Sequence, residues 1–129
     1  MTRLDSIATL VDDMPRSLGF YRLLGFDIPP AADADGYVSI GLRGGMHLSW
    51  NTENVERTFH PGSASPAGSG RMGITLRCSG AGEVDRLFRE VVAAGYAVGL
   101  EPYDAAWGAR CCRLLDPDGN AVDLVAPLP

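Results

Sequence analysis

Two ionisable residues stand out because each interrupts an apolar run at the alternation of a β-strand. In Met46-His47-Leu48-Ser49-Trp50 the apolar residues fall on one parity and His47 and Ser49 on the other; in Val122-Asp123-Leu124-Val125 parity separates Asp123 from Val122 and Leu124. A strand sends successive side chains to opposite faces, so if Leu48, Trp50, Val122 and Leu124 meet covering helices, His47 and Asp123 look inward. An imidazole there can act as a general base, contact a ligand or hold a metal; it can equally be a partly buried histidine hydrogen-bonded to a neighbour. Asp123 can orient a ligand or meet water.

Around these lie residues suited to a flat ligand. Tyr37, Trp50, Phe59, Tyr103 and Trp107 fall on expected strand ends or loops, where each well-placed ring pair adds about 0.5–1.5 kcal/mol. Trp50 and Trp107 could instead fill core or a subunit interface. Arg110 shares a strand face with Cys112 and suits either a ligand anion or a nearby carboxylate, for which Asp123 is the expected partner. Asp116-Pro117-Asp118-Gly119 has the residue order of a type I turn, and Gly44-Gly45 is a hairpin turn rather than a phosphate cradle, since no helix follows it. A catalytic zinc or a facial iron triad needs three protein ligands. Beside His47 and Asp123, the only other histidine is His60 next to Pro61, and no cluster of His and Cys falls at three- or four-residue spacing to complete the set. No metal, cofactor or catalytic residue is therefore assigned.

The elements that must position these residues repeat. Ile7–Val11 reads as a strand; Asp12-Asp13 and Pro15 start a helix that stops at Gly25. Residues 37–42 and 46–50 form a hairpin about Gly44-Gly45. The order then returns: a strand over 72–78, a helix over 83–94 closing at Gly95, a strand over 96–100, and a hairpin from Arg110 to Val125. Matching Ile7 to Ile74, Gly25 to Gly95 and Leu48 to Leu124 gives a second copy with an extra helical turn and a longer hairpin. The expected fold is α+β: two βαβββ modules forming a concave mixed β-sheet with helices on its outer face. Residues 1–129 make one domain, with module 1 over 1–52, a linker over 53–70 and module 2 over 71–129. Pro61–Gly70 is a flexible linker by composition, and Glu53–Gly70 and Glu101–Ala106 read as loops.

Composition narrows the partners. The 129 residues are 46% hydrophobic, enough for a core, and a net charge of −5 with no run of Lys or Arg argues against nucleic acid or an anionic membrane. No apolar stretch is long enough to span a bilayer, and the chain turns acidic at Asp5 before a signal-peptide segment could form, so a cytoplasmic location is expected. With Cys111 and Cys112 adjacent and Cys78 apart, free thiols are expected.

Asp12-Asp13-Met14-Pro15-Arg16-Ser17-Leu18-Gly19-Phe20-Tyr21-Arg22-Leu23-Leu24-Gly25-Phe26, and Trp107-Gly108-Ala109-Arg110 running into Asp116-Pro117-Asp118-Gly119-Asn120, resemble the vicinal oxygen chelate superfamily of glyoxalases, extradiol dioxygenases and bleomycin-resistance proteins over nearly the whole chain. Resemblance to the metal-dependent members implies ligand places at Ser6, His47, Gly73 and Asp123, of which Ser6 is a poor ligand and Gly73 none. Nor does Ser6 sit on the sharp elbow that an activated serine in a Ser6-His47-Asp123 triad would need. The resemblance lies closest to the metal-free bleomycin-resistance branch and implies a homodimer. The expected function is metal-free binding of a small, partly aromatic molecule such as an antibiotic, with Tyr37, His47, Trp50, Trp107, Arg110 and Asp123 as ligand contacts. The alternatives are a metal-dependent lyase, isomerase or dioxygenase, and a metal-free enzyme using His47 as general base.

Overall fold

The computed structural model describes residues 1, 3–59 and 72–129. The chain divides into two compact units, Met1–Ala67 and Gly68–Pro129.

The first unit contains β1 (Ser6–Val11), α1 (Met14–Leu23), β2 (Tyr37–Gly41), β3 (His47–Thr52) and α2 (Glu53–Phe59). The carboxylate of Asp13 caps α1 by accepting the Arg16 N–H at 3.1 Å, Pro15 sits in the first turn, and Gly25 closes the helix at φ 99°. β3 is the central strand, parallel to β1 and antiparallel to β2. The hairpin turn uses positive φ at both Gly44 and Gly45. Leu18, Phe20, Tyr21, Leu48 and Trp50 are buried, and the Tyr21 ring meets the Trp50 ring edge-on at 5.3 Å, which fixes α1 against β3. Between α1 and β2 the chain makes a short 3-10 turn, Pro30–Ala34, so this unit lays down three strands.

The second unit is a complete βαβββ: β4 (Gly73–Arg77), α3 (Ala81–Ala93), β5 (Ala97–Ala105), β6 (Ala109–Leu115) and β7 (Ala121–Pro127), with strand order β4-β7-β6-β5. Val84, Leu87 and Val91 form one helical stripe, and with Leu114, Val122 and Leu124 they make the core beneath α3. Removing each such side chain from water stabilises by about 1.5–3 kcal/mol. The two mixed sheets confirm the α+β class, and α3 is the longer helix at 13 residues against 10 in α1. Among the described residues no helix is long and apolar enough to cross a membrane.

Three expectations change. The segment from Glu53 is not a loop at its start, because α2 occupies Glu53–Phe59; the rest of the expected linker, His60 included, lies outside the described residues. β5 continues through Glu101–Ala105, where a loop was expected. It is an edge strand, where Pro102 costs no ladder bond, and register shifts between Val98 and Leu100 and between Leu100 and Tyr103 let it bend. The internal match also slips. Ile7 lies opposite Leu48, whereas Ile74 lies opposite Val122, so pairing Ile7 with Ile74 makes Val122, not Leu124, the counterpart of Leu48.

Candidate functional site

The second unit's sheet has α3 on one face, leaving the other to Asp123 and its neighbours. Asp123 stands opposite Thr75 on β4 and Arg113 on β6, and cross-strand partners share a face. The Arg113 Nε donates to Asp123 Oδ1 at 2.7 Å and Nη2 to Oδ2 at 3.0 Å, a two-pronged fork that engages both carboxylate oxygens. Hydrogen bonding to Asp123 raises the Arg113 guanidinium further above its ordinary value. The Arg113 stem lies against Gly99, where an added Cβ would come within 2.7 Å of Arg113 Cγ. Gly99, at the register shift in β5, thus leaves the room that the Arg113 stem occupies.

This pair forms the floor of a cavity of about 340 Å³ whose walls include Thr75, Leu100, Tyr103, Trp107 and Cys111. Trp107 is 72% exposed, and Leu100 and Tyr103 are also exposed, so apolar and aromatic surface is left in water around the polar pair. Burial raises the Cys111 thiol, with the Asp123 charge adding to it, and burial pushes the Cys112 thiol to about 11. Cys111 presents a neutral thiol to the cavity near pH 7, whereas Cys112, opposite Leu124, turns its neutral thiol to the α3 side.

Sequence reasoning missed Arg113 and misassigned Arg110. Arg110 does share a face with Cys112, but that face meets α3: its Nε donates to Asp85 Oδ1 at 3.0 Å and its Nη1 to Asp104 Oδ1 at 3.1 Å. Hydrogen bonding to Asp85 is the main cause that raises the Arg110 guanidinium. Arg110 lies opposite Ala126, so it cannot reach across to Asp123. The missed signal was the turn. Counting outward from Asp116–Asn120, Leu115 meets Ala121 and Arg113 meets Asp123.

In the first unit His47 opens β3 opposite Ser6 on β1 and Gly41 on β2. It is exposed, and its imidazole makes no hydrogen bond to a described residue. Tyr37, opposite Asn51, shares that face and is also exposed. Trp50 is not a rim residue. It is wholly buried on the α1 face, with no hydrogen-bond partner for Nε1 among the described residues. A second cavity, about 290 Å³, lies by Val11, Asp12, Thr52, Glu53 and Asn54 at the end of β1 and β3.

These donors do not fit a resident metal. The Asp123 carboxylate is already neutralised by a guanidinium, the residue opposite it is Thr75, and Gly73 lies opposite Ala121. His47 has a serine and a glycine as strand neighbours. Among the described residues no three His, Cys, Asp or Glu are grouped to hold an ion.

A sheet backed by a helix, built twice in one short chain, with a half-exposed polar pair in a cavity of about 340 Å³ on the second copy, defines an α+β module-repeat protein. The Glyoxalase/Bleomycin resistance protein/Dioxygenase superfamily model matches residues 3–124, and the chain belongs to that superfamily. The fold is similar to that of a glyoxalase/bleomycin resistance protein/dioxygenase family enzyme from Burkholderia phytofirmans PsJN, with a TM-score of 0.83 at 18% identity over 98% of this chain and 100% of the other. A glyoxalase-related enzyme from Fulvimarina pelagi has a TM-score of 0.80 at 20% identity, covering 98% of this chain and 88% of that one. A protein of unknown function from Agrobacterium tumefaciens str. C58 has a TM-score of 0.72 at 27% identity, covering 99% and 96%. No curated protein matches the chain.

Proposed function

We propose that the protein binds a small, partly aromatic molecule without a protein-bound metal, as a sequestering member of its superfamily related in character to bleomycin-resistance proteins. The observation that carries this reading is the Arg113–Asp123 fork beneath exposed Trp107, Tyr103 and Leu100. A carboxylate whose two oxygens are engaged is a weak start for a metal site, whereas rings around a neutralised floor favour stacking and apolar burial. Homodimer formation and a cytoplasmic location belong to the same reading; sedimentation at micromolar concentration tests the first.

The test is a thermal-shift screen of flat natural products and antibiotics with chelator present. Ligand bound at 100 times its Kd stabilises the folded chain by about 2.7 kcal/mol, enough to raise the melting temperature by several degrees. A shift for planar aromatics is expected; uniform silence across such compounds contradicts the reading.

A second reading, a metal-free enzyme with His47 as general base, is supported by the exposed imidazole, which makes no hydrogen bond to a described residue. Asp123 is held by Arg113 at both oxygens and is assigned no part in this reading.

A further inference from the structure

Among the described residues, the lining of the cavity on the second unit's sheet has only two charged groups, Arg113 and Asp123. They cancel at 2.7 and 3.0 Å. The thiol of Cys111, the hydroxyls of Thr75 and Tyr103 and the rings of Tyr103 and Trp107 complete a neutral surface. An ammonium ligand would gain Asp123 but meet Arg113, and a carboxylate ligand would gain Arg113 but meet Asp123, so each gains an opposite charge already spent in the pair and adds a like charge against the other. A neutral ligand adds none. The fork uses Nε and Nη2 of Arg113, and Nη1 makes no hydrogen bond to a described residue, so the guanidinium still has donors to offer.

We propose that Arg113 is a built-in cation standing on Asp123, and that through it the pocket selects flat aromatic molecules carrying a neutral acceptor oxygen, a carbonyl or amide, at one edge. This rests on the aromatic-binding reading above and narrows it. The rings clasp the flat body, and Arg113 reads the oxygen by a charge-assisted hydrogen bond, which contributes about tenfold in affinity. Asp123 acts as a positioning residue that holds the guanidinium flat.

The experiment is calorimetric titration of the full chain with 2-naphthamide, 2-naphthylmethylammonium and 2-naphthoate, in wild type, Arg113→Met and Asp123→Asn. Wild type is expected to bind the amide about tenfold more tightly than the ammonium. Arg113→Met keeps the stem beside Gly99 but leaves the Asp123 carboxylate unpaired, so the preference reverses in favour of the ammonium. Asp123→Asn frees the guanidinium and shifts preference to 2-naphthoate. A purely structural role for Arg113 would weaken all three probes together. If Arg113→Met does not fold, as judged by circular dichroism, Asp123→Asn decides alone. Equal binding of all probes with no change in either variant overturns the role of Arg113 while leaving the aromatic pocket standing. No binding of any naphthalene probe removes the pocket reading and this inference with it.

Discussion

Three thiols are buried in the second unit: Cys78, just past β4, and Cys112 on β6 lie on the α3 side, and Cys111 on the side of the Arg113–Asp123 pair. Burial is the largest cause raising each of them, because a thiolate loses its hydration there. The sign of the consequence follows. Folding favours the protonated thiol of Cys112, whose value rises from 9.0 to about 11. Its contribution is complete below pH 9 and is lost as pH climbs through 11, at up to about 1.4 kcal/mol per unit. Urea unfolding followed from pH 8 to pH 11 should therefore show stability falling in wild type, and falling less steeply in Cys112→Ala. Parallel curves would contradict the burial argument. The shallower slope need not vanish, because Cys78 and Cys111 shift the same way.

At the scale of elements, α3 and the strands beneath it depend on a few side chains with no exposure. Leu114 on β6 is one, and Leu114→Ala should cost about 2–5 kcal/mol in chemical denaturation. Val98→Ala on the exposed edge strand β5 should cost less than about 1 kcal/mol. Similar losses at the two sites would mean the core is placed wrongly. Most of this element structure was legible because local chemistry and tertiary packing agree. The Asp13 cap, the Pro15 first turn and the Gly25 stop bound α1 in sequence as in structure, and Gly44-Gly45 turns the first hairpin. What was not legible depended on cross-strand register. Parity puts Arg110 and Arg113 on opposite faces, but only the pairing outward from the Asp116–Asn120 turn shows which of them meets Asp123. The same parity assigned Trp50 to the helix side, against its reading as a rim aromatic, and burial confirms that assignment. The expected strand ends at Leu100 before an expected loop, whereas β5 runs on to Ala105 because an edge position with register shifts tolerates Pro102.

Across the whole molecule, two units of the same plan have diverged in what their sheets present opposite the helix. Among its described strand residues the first unit offers Ser6, Tyr37, Ser39, His47, Ser49 and Asn51, interleaved with Ala8 and Leu10 and without a carboxylate. The second offers one carboxylate, taken by a guanidinium on the adjacent strand. The superfamily that contains this chain spans glyoxalases, bleomycin-resistance proteins and dioxygenases, so membership leaves the chemistry to individual side chains. On the function proposed above, those side chains stack on and hydrogen-bond a ligand rather than coordinate an ion. The most direct test of that claim is one calorimetric titration of 2-naphthamide into chelator-treated full-length protein, repeated after addition of Zn²⁺ or Ni²⁺, with the metal content of each sample measured. Equal affinity in both samples, with no stoichiometric metal retained, is the predicted result. Binding that appears only when one equivalent of metal is retained would contradict the account.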